Sequence, residues 1–282
     1  MISKKIASLT SENIFSLIYH HIFEYPLTTL ELIKWKPGKK INKYKIPNIG
    51  FRYTKGFYFL RSNKEFVSTR IVRKRNSLKK IQIAREVSKL LKRIPCIKLV
   101  AITGSLSMFN AEDGSDIDLI VVTRKDRLWT TRFLSILLLI FYGFKIRRWG
   151  DKNEKNKICI NMWLDETDLI WPKKNRNFYT AHEIAQIMPL FDKQKTYQKI
   201  LNNNLWIKEY WPNSVKIEKD KKYYKYIRPT RIESLFELFI FTLQKLYMKN
   251  KRTKEVISPS KAIFHPIDRS IIINSRLTKY IK

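Results

Sequence analysis

The stretch TGSLSMFNAEDGSDIDLIVV, Thr103–Val122, decides how this 282-residue chain is read. It places a Gly-Ser turn, a short amphipathic run and two aspartates one residue apart at the start of an apolar segment. Just upstream, CIKLVAIT (Cys96–Thr103) is rich in β-formers and bounded by Pro95 and Gly104, so a buried strand is expected there. Gly104 and Ser105 turn the chain, residues 106–111 suit a short helix, 112–115 are polar turn chemistry, and Asp116 opens a second strand that runs to Thr123. Side chains alternate across a strand, so Asp116 and Asp118 share one face while Ile117 and Leu119 point to the other. Two carboxylates whose Cα atoms are about 7 Å apart can converge on a hard divalent cation such as Mg²⁺. Gly104 permits close backbone approach, and Ser105 adds a hydroxyl donor at a helix start, a combination that suits a phosphate. The plainer alternative makes Asp116 ordinary turn chemistry and Asp118 a surface residue of an edge strand. It explains each aspartate separately but not the Gly-Ser strand end.

Around this stretch the chain is strongly basic. Lys and Arg total 57 against 24 Asp and Glu, a formal net charge of +33. Such an excess favours a polyanionic partner, nucleic acid in particular, over a merely basic surface. With 44% hydrophobic residues the chain can bury a substantial core. Cys96 and Cys159 each sit in an apolar run with no zinc-ligand partner nearby, and read as reduced core residues of a cytoplasmic protein. The N-terminus has no uninterrupted signal-peptide core, and the most apolar stretch, FLSILLLIFYGF (Phe133–Phe144), is shorter than the roughly 20 residues a bilayer span needs. That stretch is expected to be a buried helix covering a sheet, and no membrane partner is expected.

Three regions follow. Residues 1–75 hold a helical pattern at 12–23, a second short helix capped by Thr28 or Thr29, a basic irregular stretch, and a Gly turn before the aromatic run FYFL. This is the outline of a winged helix-turn-helix, or of a small helical lead-in that packs on the next region. Residues 76–172 hold the core. Its first helix, Arg70–Arg93, carries ten basic residues and one acid, with Leu78, Ile81, Ala84, Val87, Leu90, Leu91 and Ile94 as the apolar stripe, so a cationic outer face is expected. A long apolar helix over Arg127–Tyr142 and a third strand, KICINMWLD (Lys157–Asp165), complete an α+β nucleus. Residues 173–282 read as an α-helical C-terminal domain. HEIAQ at His182 ends in Gln186 where a zinc-protease motif needs a second His, so His182 reads as structural. FHPIDRS (Phe264–Ser270) reads as packing, with His265 and Arg269 against a phosphate as the minority view.

An apolar strand ending in Gly-Ser, about ten residues, and Asp-x-Asp opening another apolar strand resembles the nucleotidyltransferase superfamily of DNA polymerase beta. The resemblance covers Thr103–Val122 closely and the core to about residue 170 loosely. It implies a small mixed-sheet nucleotidyltransferase core that moves a nucleoside monophosphate from an NTP such as ATP to an acceptor hydroxyl, with RNA favoured as acceptor by the charge. It further implies Mg²⁺ held by Asp116, Asp118 and a third carboxylate on a later strand, with Gly104 and Ser105 binding nucleotide phosphates. The third carboxylate is open: alternation places Asp165 on the face of Cys159, Asn161 and Trp163, Asp151 serves if the strand is instead FKIRRWGD, and Asn161 itself stands where the family has an acid. A catalytically inactive protein of this fold that binds nucleic acid is the rival expectation.

Overall fold

The computed structural model describes residues 9–61, 65–148, 150–218, 230–249, 256–264 and 269–281. It opens with α1 (Ser11–His21), capped by Thr10, and α2 (Thr29–Lys34), where Thr28 is the N-cap and Glu31 closes a capping box. The hairpin of β1 (Phe51–Thr54) and β2 (Phe57–Leu60) turns on Lys55 and Gly56, with φ of 49° and 85°. Positive φ at both turn residues gives the twist that a two-residue hairpin requires. The chain continues through α3 (Phe66–Leu91), β3 (Ile97–Ile102), α4 (Gly104–Ser107), β4 (Ile117–Thr123), α5 (Leu128–Phe141) and β5 (Ile158–Asp165). It then forms α6 (Phe178–Ala185), β6 (Met188–Asp192), α7 (Thr196–Asn203), α8 (Ile207–Tyr210), α9 (Arg231–Met248), β7 (Val256–Ser258), β8 (Lys261–Ile263) and α10 (Arg269–Thr278).

The protein is a mixed α+β structure built on a six-stranded sheet of order β6-β3-β4-β5-β8-β7. Only β4 and β5 run parallel; the other pairs are antiparallel. Residues 173–282, expected to be a mostly helical domain, supply three of these strands, so the sheet takes strands from both sides of residue 172. Pro189, which lacks an amide to donate, sits in the edge strand β6, where Pro is tolerated.

Each sheet face carries its own core. Leu99, Ala101, Ile120, Val122 and Leu164 pack in one cluster with residues of α1, α6 and α8, and Val100, Ile102, Leu119, Val121 and Trp163 in another with residues of α3 and α5. The N-terminal segment is built into the first cluster: the Phe15 ring lies 4.7 Å from Phe178, and Tyr19 5.1 Å from Trp211. His182 is a core residue there, its Nε2 3.2 Å from that of His20 and its ring stacked on Trp35 at 3.8 Å. Burial lowers the pKa of both, His20 to about 4, with the neighbouring His20 lowering His182 further.

Two helices differ from expectation. In α3, Leu78 is 54% exposed, whereas part of the supposed outer cationic face turns inward. Arg70, Arg73, Ser77 and Lys80, spaced three, four and three residues apart, line one helix side. Arg70 donates to the Met108 and Phe109 carbonyls and pairs with Glu31 at 2.8 Å, while Arg73 pairs with Glu24 and Glu112. Ser77 accepts from the Ala111 amide, and the buried Lys80 ammonium donates to the carbonyls of Asp113 and Ser115 and to Asn156. α3 thus clamps the segment 108–115 that joins the Gly-Ser turn to the Asp pair. In α5, Leu128, Trp129, Thr131, Ser135 and Leu139 are buried, but Phe133, Leu134, Leu137, Ile140 and Phe141 are exposed, so this helix is covered on one side only. Among the described residues, no helix is long and apolar enough to cross a membrane.

Candidate active site

Strands β3 and β4 are antiparallel neighbours, so the end of one lies beside the start of the other: the Thr103 amide donates to the Asp118 carbonyl at 3.0 Å. This brings Gly104 against Asp118. Gly104 has φ +63°, and a Cβ added there would meet Asp118 Oδ2 at 2.9 Å, so both backbone conformation and space select glycine. Its carbonyl accepts from Ser107 Oγ and Gln186 Nε2, and Ser105 is exposed.

Asp116 and Asp118 come together with Cys159. One ligand atom from each lies within 4.8 Å of the others. Asp116 is buried and pairs with Arg147 at 2.7 Å, and the second terminal nitrogen of Arg147 reaches Glu154 at 2.5 Å. Asp118 Oδ1 accepts from Asn161 Nδ2 at 2.6 Å. Burial first, and the Asp116 charge second, push the Asp118 carboxyl up to about 7, with Arg269 at the start of α10 opposing. Burial and the two carboxylates also raise the Cys159 thiol, which keeps it protonated in the absence of a bound ion. Cys159 is therefore a wall of the site, in place of the plain core position expected for it.

The donor set fits a hard divalent cation. Two carboxylates converge, and the buried Asn161 Oδ1 has no hydrogen-bond donor, so an acceptor oxygen stands available beside them. Arg147 meanwhile supplies the positive charge against Asp116.

Asp165 does not join this group. It pairs with Thr123, five residues along β4 from Asp118, which is roughly 16 Å at the strand rise. The register shifts between Leu119 and Ile120, leaving Asn161 as an extra residue on β5. That bulge reverses the alternation, so Trp163 and Asp165 fall on the opposite face from Cys159. Asp165 is instead a turn anchor, accepting from the Asp126 and Thr167 amides and from the Thr167 hydroxyl. Asp151 lies in the loop before β5, bound to the Arg148 amide and paired with Lys157 at 2.8 Å.

A different acid stands close by. Glu183 of α6 accepts from Gln186 Nε2 at 2.7 Å, and that same amide reaches the Gly104 carbonyl at 3.3 Å. Burial pushes Glu183 up to about 7, Arg269 lowers it, and the Asp118 charge raises it again. Its signal in the sequence is a lone acid inside HEIAQ, beside His182 on an otherwise largely apolar helix. His265 lies outside the described residues, while Arg269 lies within them and acts on both Asp118 and Glu183. The chain matches no family model, no curated protein and no solved structure.

Proposed function

We propose that the chain is a divalent-cation-dependent nucleotidyltransferase that moves a nucleoside monophosphate from an NTP to an acceptor hydroxyl. One observation carries this reading: Gly104 is backed against Asp118, so the Gly-Ser turn and the carboxylate pair open on the same place. Asp116 and Asp118 are the residues that would hold Mg²⁺, with Asn161 Oδ1 a neutral donor beside them. A bound Mg²⁺ would neutralise triphosphate charge as a Lewis acid. Gly104 and Ser105 receive the phosphates, and Arg147 and Arg269 offset their charge. Glu183 takes the part of the third carboxylate and accepts the proton of the acceptor hydroxyl. The new O–P bond forms at the α-phosphorus as the bond to pyrophosphate breaks, and a base with a pKa near 7 suits that transfer. The net charge of +33 favours RNA as acceptor.

The non-catalytic nucleic-acid binder keeps one observation in its favour, the neutral Asn161 bonded to Asp118. Incubation with each α-labelled NTP, Mg²⁺ and total cellular RNA and protein separates the two readings. Label transferred by the wild type and lost in Asp116→Ala/Asp118→Ala supports the transferase. Salt-sensitive RNA binding without transfer, unchanged in the double variant, supports the binder.

A further inference from the structure

The packing of α9 against α5 is inverted relative to an ordinary surface helix. α9 attaches through polar groups: Glu237 accepts from the Trp129 and Thr130 amides at 2.6 and 3.0 Å, capping the start of α5, and Gln244 donates to the Trp129 carbonyl at 2.9 Å. Glu233 pairs with Arg127 at 2.6 Å. Ile240 and Met248 are buried beside these contacts and Phe241 packs on Trp129 at 5.0 Å, but the larger apolar set points the other way. Ile232, Leu235, Phe236, Phe239, Leu243, Leu246 and Tyr247 are between 48% and 81% exposed. At 3.6 residues per turn they fall within a sector of about 120°, the width of a face made to be covered. On the adjacent α5, Phe133, Leu134, Leu137, Ile140 and Phe141 form a second exposed stripe, 42–84% exposed.

Charge selects what covers these faces. Residues 128–148 contain no Asp or Glu, and both acids of α9 are engaged with Arg127 or with the α5 amides. Lys145 and Arg148 beyond the end of α5, and Lys249 at the end of α9, are exposed. A second copy of the chain would bring another +33 charge against the first, so self-association is opposed. Apolar helical stripes with cationic ends and no free acid match the interface of an anionic bilayer, where a helix lies in the headgroup plane without crossing. We propose that the α5–α9 pair is a peripheral docking surface for an anionic lipid membrane.

Flotation of the full chain with vesicles tests this. The wild type floats with phosphatidylglycerol–phosphatidylcholine vesicles and about tenfold less with pure phosphatidylcholine or at 1 M salt. The variants Leu235→Ser/Phe239→Ser/Leu243→Ser and Phe133→Ser/Leu137→Ser, folded by circular dichroism, lose most of the floating fraction. Three results overturn the proposal: no flotation of the wild type, equal flotation of wild type and variants, or a wild-type dimer in sedimentation velocity that both variants abolish. Equal flotation assigns lipid binding to the general basic surface, and the dimer assigns the face to a contact between copies.

Discussion

Helices α3 and α9 use opposite parts of themselves to attach. The first turns arginine, serine and lysine inward and leaves Leu78 in solvent, while the second docks through Glu237 and Gln244 beside Ile240, Phe241 and Met248 and leaves its larger apolar stripe outside. In α3 the inward charges end on oxygen acceptors at 24, 25, 31, 108–115 and 156, so they fix the loop that aims Asp116 and Asp118. Buried cations here are scaffolding for a site. In α9 the inward polar groups satisfy helix-end amides and orient a hydrophobic face that nothing described in the chain covers. Residue type alone therefore does not say which side of a helix is the inside; the partners do.

The largest test of that contrast is Lys80→Met. The new side chain nearly keeps the volume but leaves the carbonyls of Asp113 and Ser115 and Asn156 Oδ1 without their donor, and it costs about 3 kcal/mol in urea unfolding. Gly104→Ala is next, at about 2 kcal/mol, because an L-residue is forced to positive φ with its Cβ against Asp118. On the proposed function the same variant also loses nucleotidyl transfer, measured with labelled NTP.

Acid titration separates the site from the core beside it. His20 and His182 are held below their unfolded pKa of 6.5, so their contribution is present above that pH and is lost as pH falls from 6.5 toward 4. Asp118 and Glu183 are held above their unfolded values, so in the absence of a bound cation their contribution is full below about pH 4 and lost as pH rises through about 7. The two pairs oppose each other in the wild type. In Asp118→Asn/Glu183→Gln the histidines of these four remain, and the free energy of urea unfolding falls more steeply between pH 6.5 and 4, by up to about 1.4 kcal/mol per pH unit for each histidine. An equal slope in wild type and variant would contradict these assignments. The smallest effect is expected on the exposed face, where Leu235→Ser changes stability by no more than about 0.5 kcal/mol in the same assay.

What the sequence disclosed was what is local in the chain. The strands at 97–102, 117–123 and 158–165, the Gly-Ser turn and the shared face of Asp116 and Asp118 all rest on short-range periodicity, and the structure places the turn against the pair. What it concealed depended on partners far away. Counting by twos along β5 leads from Cys159 to Asp165, but one bulged residue at Asn161 sends Asp165 to the other face. The edge strand β6 hides behind Pro189 and follows α6 too closely to be parted from it by pattern. Glu183 joins the site only because α6 packs beside the Gly104 carbonyl, and no spacing in the chain encodes that approach.

The most direct test needs no acceptor: titration of Mn²⁺, followed by electron paramagnetic resonance, into the wild type and into Asp116→Asn/Asp118→Asn, each with and without ATP. The account predicts Mn²⁺ binding to the wild type that ATP tightens and that falls about tenfold for each pH unit below 7 as Asp118 protonates, with loss of binding in the double variant. Equal Mn²⁺ binding by wild type and double variant, or no binding by the wild type even with ATP at pH 8, would contradict it.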